Sequence, residues 1–505
     1  MKFKYLTALL LCAFLSINTK ANDKPNIVLI LIDDMPWWGT TVEQQAGNPQ
    51  SKSKYRVTPH IEKIAERGMT FSNAYAAAGM CAPSRTSIQT GLSPARHLFS
   101  GNSNFGESCP SEVTYTVKEK NKGALLIEPS PLGSLNPKFL TIGEALQQRG
   151  YATGHFGKWH VYGKGPEANG YDESDGETSN HEGGKEGSTD PKDPKRIFST
   201  TRNSIKFIEK NHKAKKPFYV QVSHYVEHNQ QQYLSETYKD FEKLPNIQSI
   251  KDKTHLKEAV THGAAVKDLD DSIGTILNKL DELGIRDNTY VIFTSDNGKG
   301  LNNGKETILR GEKWWLWEGG VRVPFMIEGP GIKAGSRSSL NIINYDFLPT
   351  FFEMAGGNPQ ELSKLDGRSI MPILKQENTE KFKTRALFFH YPHLRNTTPH
   401  SAIIKGDYKL YTFYEIPDKP YLYKLSDDLG EETNLSSQMP EKTEQMKKEL
   451  EQYFSRVGAY LPKPNPDADQ NRERFDPDVV VPTASKLVGQ KLVLPGKSKS
   501  KKLAQ

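Results

Sequence analysis

Chemically capable residues recur in this chain at the ends of short apolar runs. Asp33-Asp34 closes the run Asn-Ile-Val-Leu-Ile-Leu-Ile over residues 26–32. Lys158 and His160 follow residues 151–156, His224 and His228 follow 218–222, and Asp296-Asn297 follows 290–294. Asp33, Asp34, Asp296 and Asn297 offer hard oxygen donors with no imidazole or thiolate among them. Such a set suits Ca2+ or Mg2+ over Zn2+. Taken singly, an aspartate at a strand end serves as often as a turn or helix-cap residue. Cys81 lies in Cys81-Ala82-Pro83-Ser84-Arg85-Thr86-Ser87-Ile88-Gln89-Thr90-Gly91. A short helix is expected over 84–89, and its free N–H groups favour an anion beside Cys81. Read alone, Cys81 also fits a buried free thiol in a Pro-Ser turn or half of a bridge to Cys109.

These residues need a scaffold. A near-continuous apolar run such as 26–32 is what a strand buried on both faces of a parallel sheet requires. Further strands are expected at 151–156, 218–222 and 290–294. Helices alternate with them. Thr58-Pro59 starts one, with Thr58 as N-cap, and Gly68 stops it. Thr141 with Glu144 forms a capping box that opens a second, ending at Gly150. A long helix over 256–283 carries a stripe of Val260, Ala264, Leu269, Ile273, Ile276, Leu280 and Leu283. The order implies an α/β fold: a large, mostly parallel mixed sheet flanked by helices. Open sheets of this kind bind ligands beyond the carboxyl ends of their strands, so the four polar strand ends are expected to converge. The polar stretch 172–195 reads as a loop. Beyond 378–384, short strands at 386–389, 401–404, 409–413 and 421–425 and a helix over 441–453 form a smaller C-terminal α+β subdomain. The expected division is 1–21 signal peptide, 22–380 catalytic domain, 381–460 subdomain and 461–505 extended basic tail.

Composition narrows the class. Lys2 and Lys4, an apolar stretch over 5–17 and Thr19-Lys20-Ala21 form an export leader, so the protein is expected to be periplasmic or secreted. The leader is too short to span a membrane, and no later run reaches that length. Leu11 before Cys12 disfavours lipid anchoring. Two cysteines remain, Cys81 and Cys109, too few for a disulfide scaffold. The formal charge is +7; removing Lys2, Lys4 and Lys20 leaves +4. The tail lysines Lys486, Lys491, Lys497, Lys499, Lys501 and Lys502 exceed that, so the body sits near −2. The basic run is a solvated tail, and nothing calls for nucleic acid.

The Cys-x-Pro-Ser-Arg…Thr-Gly segment resembles the signature of the type I sulfatases, in the alkaline-phosphatase-like superfamily. The resemblance runs from about Lys24 to Ser436. It includes Gly157-Lys158-Trp159-His160, Ser223-His224-Tyr225-Val226-Glu227-His228 and Leu309-Arg310-Gly311-Glu312-Lys313. Glu318-Gly319-Gly320-Val321-Arg322-Val323-Pro324 and the stretch from Tyr421-Leu422-Tyr423 to Asn434-Leu435 belong to it as well. It implies that a formylglycine-generating enzyme oxidises Cys81 to Cα-formylglycine, whose hydrate attacks sulfate esters. By the same resemblance Asp33, Asp34, Asp296 and Asn297 hold Ca2+ together with residue 81. Arg85 fixes the hydrate, Lys158 and Lys313 grip sulfate oxygens, His160 bonds the hydrate, and His228 faces the leaving oxygen. Two departures stand out: Glu312 where relatives commonly carry Gly, and Asn229-Gln230 where Thr-Pro is common.

The resemblance implies a sulfatase acting on a sulfated oligosaccharide or polysaccharide. Ulvan, carrageenan and host glycosaminoglycans all remain open, with algal polymers preferred. His390, His393 and Arg395 are candidate sugar contacts or a structural His-Pro turn. Trp314, Trp315 and Trp317 either stack on a sugar or pack the core. A formylglycine-dependent phosphodiesterase or phosphonate hydrolase is the nearest alternative. A non-catalytic carbohydrate-binding protein is the other.

Overall fold

The apolar run at the start of the chain forms strand β1 (Asn26–Ile32), and all seven residues are buried. The computed structural model describes residues 24–101, 112–117, 121–183, 190–300, 308–362, 364–395 and 397–481. The expected leader, Cys12, Cys109 and the tail lysines lie outside them. The sheet continues with β2 (Met69–Phe71), β3 (Ala152–Gly157), β4 (Glu173–Ser174) and β5 (Phe218–Ser223). It is completed by β6 (Thr289–Ser295), β7 (Phe325–Glu328) and β8 (Ser336–Ser338). The order is β8-β2-β7-β6-β1-β5-β3-β4. β7 runs antiparallel to both its neighbours and the remaining pairs are parallel.

Alternation along β1 divides the core. Ile27, Leu29 and Leu31 face one helical layer with Ile88, Ile142 and Leu348. Val28, Ile30 and Ile32 face the other with Ile61, Ile208, Leu269 and Ile273. Each fully buried aliphatic side chain contributes about 2 kcal/mol of transfer free energy. The helices involved are α1 (Pro59–Arg67), α2 (Cys81–Thr90), α3 (Ile142–Gln148), α4 (Ile197–Lys213), α5 (Lys253–Glu282) and α6 (Phe347–Met354). The Thr141–Glu144 capping box opens α3 as expected. The start of α1 differs. Thr58 occupies the N-cap position, but its hydroxyl bonds Thr41. The carboxylate of Asp270 on α5 accepts from the His60 and Ile61 amides instead, at 3.1 and 2.9 Å. A tertiary contact therefore replaces the local cap. Gly68 ends α1 because a Cβ there would meet the Ile327 carbonyl at 2.0 Å.

The second unit is an antiparallel meander of β9 (Ala386–Tyr391), β10 (His400–Lys405), β11 (Tyr408–Phe413) and β12 (Tyr421–Lys424). Helix α7 (Pro440–Val457) packs on it through Met446, Leu450 and Phe454. The stretch after Leu461 is not simply an extended tail. Lys463 and Pro464 pair with Leu126–Ile127, and Pro477–Val480 forms a helical turn. The Arg310 guanidinium fastens that turn, donating to the carbonyls of Val481 (2.7 Å) and Pro477 (2.8 Å) and to Asp478 (3.0 Å). The polar stretch 172–195 is likewise not all loop, since it supplies edge strand β4. No helix among the described residues is long and apolar enough to cross a membrane.

Candidate active site

Sheet register brings the polar strand ends to one level. Leu31 lies opposite Ser223, Ile32 opposite Ser295, and Gly157 opposite Ser223. The residues that follow, Asp33, His224, Asp296 and Lys158, therefore leave the sheet together. Backbone bonds lock the exit: His224 N to Leu31 O (2.9 Å), Asp296 N to Ile32 O (2.9 Å) and Lys158 N to Ser223 O (2.8 Å). Gly157 turns the chain at φ +91°, where a Cβ would meet the Ser223 carbonyl at 2.0 Å. Only glycine fits immediately before Lys158.

Cys81 enters this cluster as the first residue of α2. The helix begins three residues before the expected position and is buried along its whole length. That is why neither a polar face nor a side-chain cap announced its start. Cys81 is a free thiol. Its Sγ lies 3.3 Å from Asp33 Oδ1 and 3.7 Å from Asp34 Oδ1, and accepts from Lys313 Nζ at 3.1 Å. Lys158 Nζ meets Asp33 Oδ2 at 2.6 Å, and Lys313 Nζ meets both oxygens of Asp34 at 2.7 Å. Arg85 Nε donates to Asp296 Oδ2 at 2.7 Å and its Nη1 to the Lys158 carbonyl. Ser84 completes the motif's logic: its hydroxyl donates to the Asp296 carbonyl and accepts from Asn344 Nδ2 at 2.6 Å.

Three carboxylates thus face three cations in a region sealed from water. Burial pushes Asp33 up, but Lys158, then His228, Arg85 and Lys313, hold it well below the usual carboxylate range. Burial opposes ionisation of Asp34 too, and Lys313 brings it below its ordinary value. Burial raises Asp296 to about 6 against the pull of Arg85. The Cys81 thiol is driven well up, first by burial and then by Asp33. It is a neutral thiol, poorly suited to act as a thiolate nucleophile. Burial and then Lys313 lower His228 to about 3, and burial and then Lys158 lower His160 well below its usual value.

The donor set suits a divalent cation. Ligand atoms of Asp33, Asp34, Asp296 and Cys81 lie within 4.8 Å of one another. Asn297 Nδ2 donates to Asp34 at 2.8 Å, while its buried Oδ1 has no hydrogen-bond partner. Three carboxylates and an amide oxygen are the hard ligands that Ca2+ or Mg2+ take. The buried Arg85 Nη2 and His160 Nδ1 also have no hydrogen-bond partner. Desolvated polar atoms of this kind are expensive unless a ligand completes them.

The remaining sugar-contact candidates divide. His390 is buried, with Nδ1 on Ser401 Oγ (2.8 Å) and Nε2 on the Tyr460 carbonyl (3.1 Å). His393 is buried between Ser100 Oγ (2.9 Å) and Glu128 (3.7 Å). Both rings are engaged within the protein, as the structural His-Pro turn requires. Arg395 is different: it lies over the half-buried Trp314 ring at 5.2 Å, one residue from Lys313. Trp315 and Trp317 belong to the core. Glu312 pairs with Lys299 at 3.3 Å, which accounts for its place in the loop. Lys195 was not singled out from the sequence. Its buried Nζ donates to the carbonyl of Asn229, next to His228, at 3.1 Å. Burial lowers it to about 8, with Asp33 opposing. A lysine in a polar loop carries no local sign of that placement.

Comparison with known proteins adds independent findings. The family profile "Sulfatase" matches residues 25–357, and "N-sulphoglucosamine sulphohydrolase, C-terminal" matches residues 311–457. A "Sulfatase" of Formosa agariphila is 28% identical over 499 residues, covering 83% of this chain and 86% of that protein. An "Ulvan-active sulfatase" of the same organism is 27% identical over 379 residues, covering 71% and 66%. The crystal structure of Ps i-CgsB in complex with k-i-k-neocarrahexaose superposes with a TM-score of 0.69 at 24% identity, covering 85% of this chain and 93% of that one.

Proposed function

The chain belongs to the sulfatase family, and from that premise we propose that it releases sulfate from a sulfated polysaccharide or its oligosaccharides, with algal polymers of the ulvan kind as the leading class. The observation that carries this reading is the convergence of Asp33, Asp34 and Asp296 with Lys158, Lys313 and Arg85 around Cys81. A relative acts on ulvan by its name, while the C-terminal profile is named for an N-sulphated glucosamine. Sulfated sugar chains are common to both.

Asp33, Asp34, Asp296 and Asn297 would hold a Ca2+ ion, which would polarise the sulfate, and hydrated Cα-formylglycine at position 81 would supply the covalent nucleophile. Cys81 Sγ stands in for the oxygens of that nucleophile. Lys158, Lys313 and the unpartnered Arg85 Nη2 offset the charge that spreads over the sulfate oxygens. Asp296 and the Lys158 carbonyl hold Arg85 in one orientation. His228 carries the proton destined for the leaving oxygen. Burial lowers its proton affinity, and an anionic substrate raises it. His160, with Nδ1 unpartnered, serves as the base on the residue-81 side. Maturation requires a formylglycine-generating enzyme as partner, and the leader fits an exported protein.

Peptide mass spectrometry across residue 81, on protein produced with such a partner, tests the premise of the chemistry. Sulfate release from ulvan, carrageenan and glycosaminoglycan oligosaccharides, with phosphate diesters alongside, tests the substrate. An aldehyde at 81 and sulfate release from an algal oligosaccharide are expected. A thiol at 81 despite an active partner, or faster cleavage of phosphate esters, overturns the reading.

A further inference from the structure

A prominent cavity lies away from Cys81. It is a groove of about 810 Å3 between the catalytic unit and the C-terminal meander. The amides of Asp366 and Gly367 at its wall donate to the carbonyl of Gly91, each at 3.1 Å, so it lies at the far end of α2. Ten residues of helix separate that end from Cys81, about 15 Å.

The lining is strongly cationic: Arg96, Arg368, Lys381, Arg385, Lys448 and Arg456 face two carboxylates, Asp366 and Glu449. Those acids are already engaged, Asp366 by Arg96 at 2.7 Å and Glu449 by Lys405 at 2.7 Å. Arg385 is neutralised by Asp346 at 2.6 Å. Among the described residues Arg368, Lys381, Lys448 and Arg456 have no ion-pair partner. Arg368 donates only a long bond, 3.5 Å, to the Lys381 carbonyl. Burial and then the neighbouring Arg385 lower its proton affinity. Cations therefore outnumber carboxylates here, and Asp346, Asp366 and Glu449 are each already paired.

The rest of the lining speaks for a sugar chain. Gln445, Lys448, Gln452 and Arg456 fall on one face of α7, so amides alternate with cations along the groove. Lys448 and Arg456 are eight residues apart, about 12 Å along the helix axis. That spacing suits successive charges on a chain better than one small anion. The half-buried Phe388, stacked on the buried Tyr453 at 3.8 Å between ring centroids, also lines the wall. Amide groups match hydroxyls, and cations match sulfates.

We propose that this groove is a second, non-catalytic binding site for a sulfated polysaccharide, which anchors the polymer away from the reaction centre. The inference rests on the substrate reading above. Matured full-length protein is titrated with dextran sulfate, with carboxymethyl-dextran of matched charge as control, across a range of salt. Sulfate release from a short sulfated oligosaccharide is measured in parallel. K381E/K448E/R456E is expected to weaken dextran sulfate binding at least ~10-fold and flatten its salt dependence, with short-substrate turnover unchanged. K448Q/R456Q, confined to the exposed face of α7, gives a smaller loss in the same direction. Wild-type affinity in both variants, or equal affinity of the wild type for the two polymers, overturns the groove. Absence of sulfate release by the wild type, with polymer binding still lost in the variants, overturns the substrate reading and leaves the groove standing.

Discussion

Of the buried charge clusters among the described residues, two are completed differently. At the junction with the C-terminal meander, Glu318 accepts from Lys409 Nζ (2.6 Å), Arg322 Nη1 (2.7 Å) and Tyr75 OH (3.2 Å). Glu431 accepts from the Glu318 amide (2.8 Å) and from Tyr411 OH, with Lys409 3.6 Å away. The other nitrogens of Arg322 are taken by Ser72 and Asn73. Every charged group there has its partner within the protein. Around Cys81 the ion pairs are just as buried, yet Arg85 Nη2, His160 Nδ1 and Asn297 Oδ1 lack partners. Each such atom costs about 1–3 kcal/mol if left unmet. Burial of charge is thus shared by a structural joint and a reactive site. Concentrated incompleteness is what separates them.

The sharpest break of this comparison comes from one substitution in each cluster. Cys81→Ala is expected to lower turnover by about 10^4 or more, with little change in melting temperature. Glu318→Ala leaves Lys409 and Arg322 charged and buried, which destabilises by about 3–5 kcal/mol. Turnover per folded molecule should persist. Denaturant unfolding and active-site-normalised kinetics check both. If Cys81→Ala unfolds the protein, or Glu318→Ala abolishes turnover at unchanged stability, the two clusters are not different in kind. Lys313→Met comes next, with about a 10^2–10^3-fold loss in kcat, because it removes one charge facing the sulfate oxygens.

The same contrast explains what the sequence could reveal. Asp33-Asp34 and Asp296-Asn297 were legible because polar residues interrupt apolar runs, and a parallel sheet brings such interruptions to one edge. The Thr141 capping box was legible because both partners lie within four residues. Thr58 failed as a cap because Asp270, more than 200 residues on, supplies the bond. The internal partners of His390 and His393 were hidden for the same reason: Ser401, Tyr460, Ser100 and Glu128 reach them through the fold. The segment after Leu461 has no period to read, since Arg310 holds it from 167–171 residues away. The cationic groove draws on α7 and on the Asp366 loop, and neither is unusual alone.

Metal removal sharpens the comparison from the ligand side. A divalent cation held by Asp33, Asp34, Asp296 and Asn297, as proposed, would complete the reactive cluster and add nothing at Glu318. Calcium at 100 times its dissociation constant should stabilise the folded protein by about 2.7 kcal/mol. Chelation should lower the melting temperature, and calcium should restore it. In Asp296→Asn the calcium-dependent gain should shrink, whereas in Glu318→Gln it should persist on a lower baseline. Calorimetry across a calcium series measures both, and an equal gain in the two variants would place the ion elsewhere.

The smallest expected effect concerns Lys195, which borders the reactive cluster. Its ammonium is buried with a single hydrogen bond, to the Asn229 carbonyl beside His228. Burial lowers it to about 8, so it is charged below that pH and neutral above it. A cation on this side of the site favours leaving groups that carry a second anionic group. Lys195→Met should therefore lower kcat/KM about 10-fold for a disulfated or uronate-bearing sugar below pH 8, equivalent to ~1.4 kcal/mol. Monosulfated neutral sugars should be little affected. In the wild type the advantage should fade as pH rises through about 8, and in the variant there is nothing to fade. Stability has the opposite sign. The unfolded lysine holds its proton to higher pH, so the folded protein is disfavoured below about 8 and recovers as pH rises toward the unfolded value. Lys195→Met should accordingly melt slightly higher than the wild type at pH 7 while discriminating less. A variant that loses discrimination and stability together would mark Lys195 as a joint of the Glu318 kind.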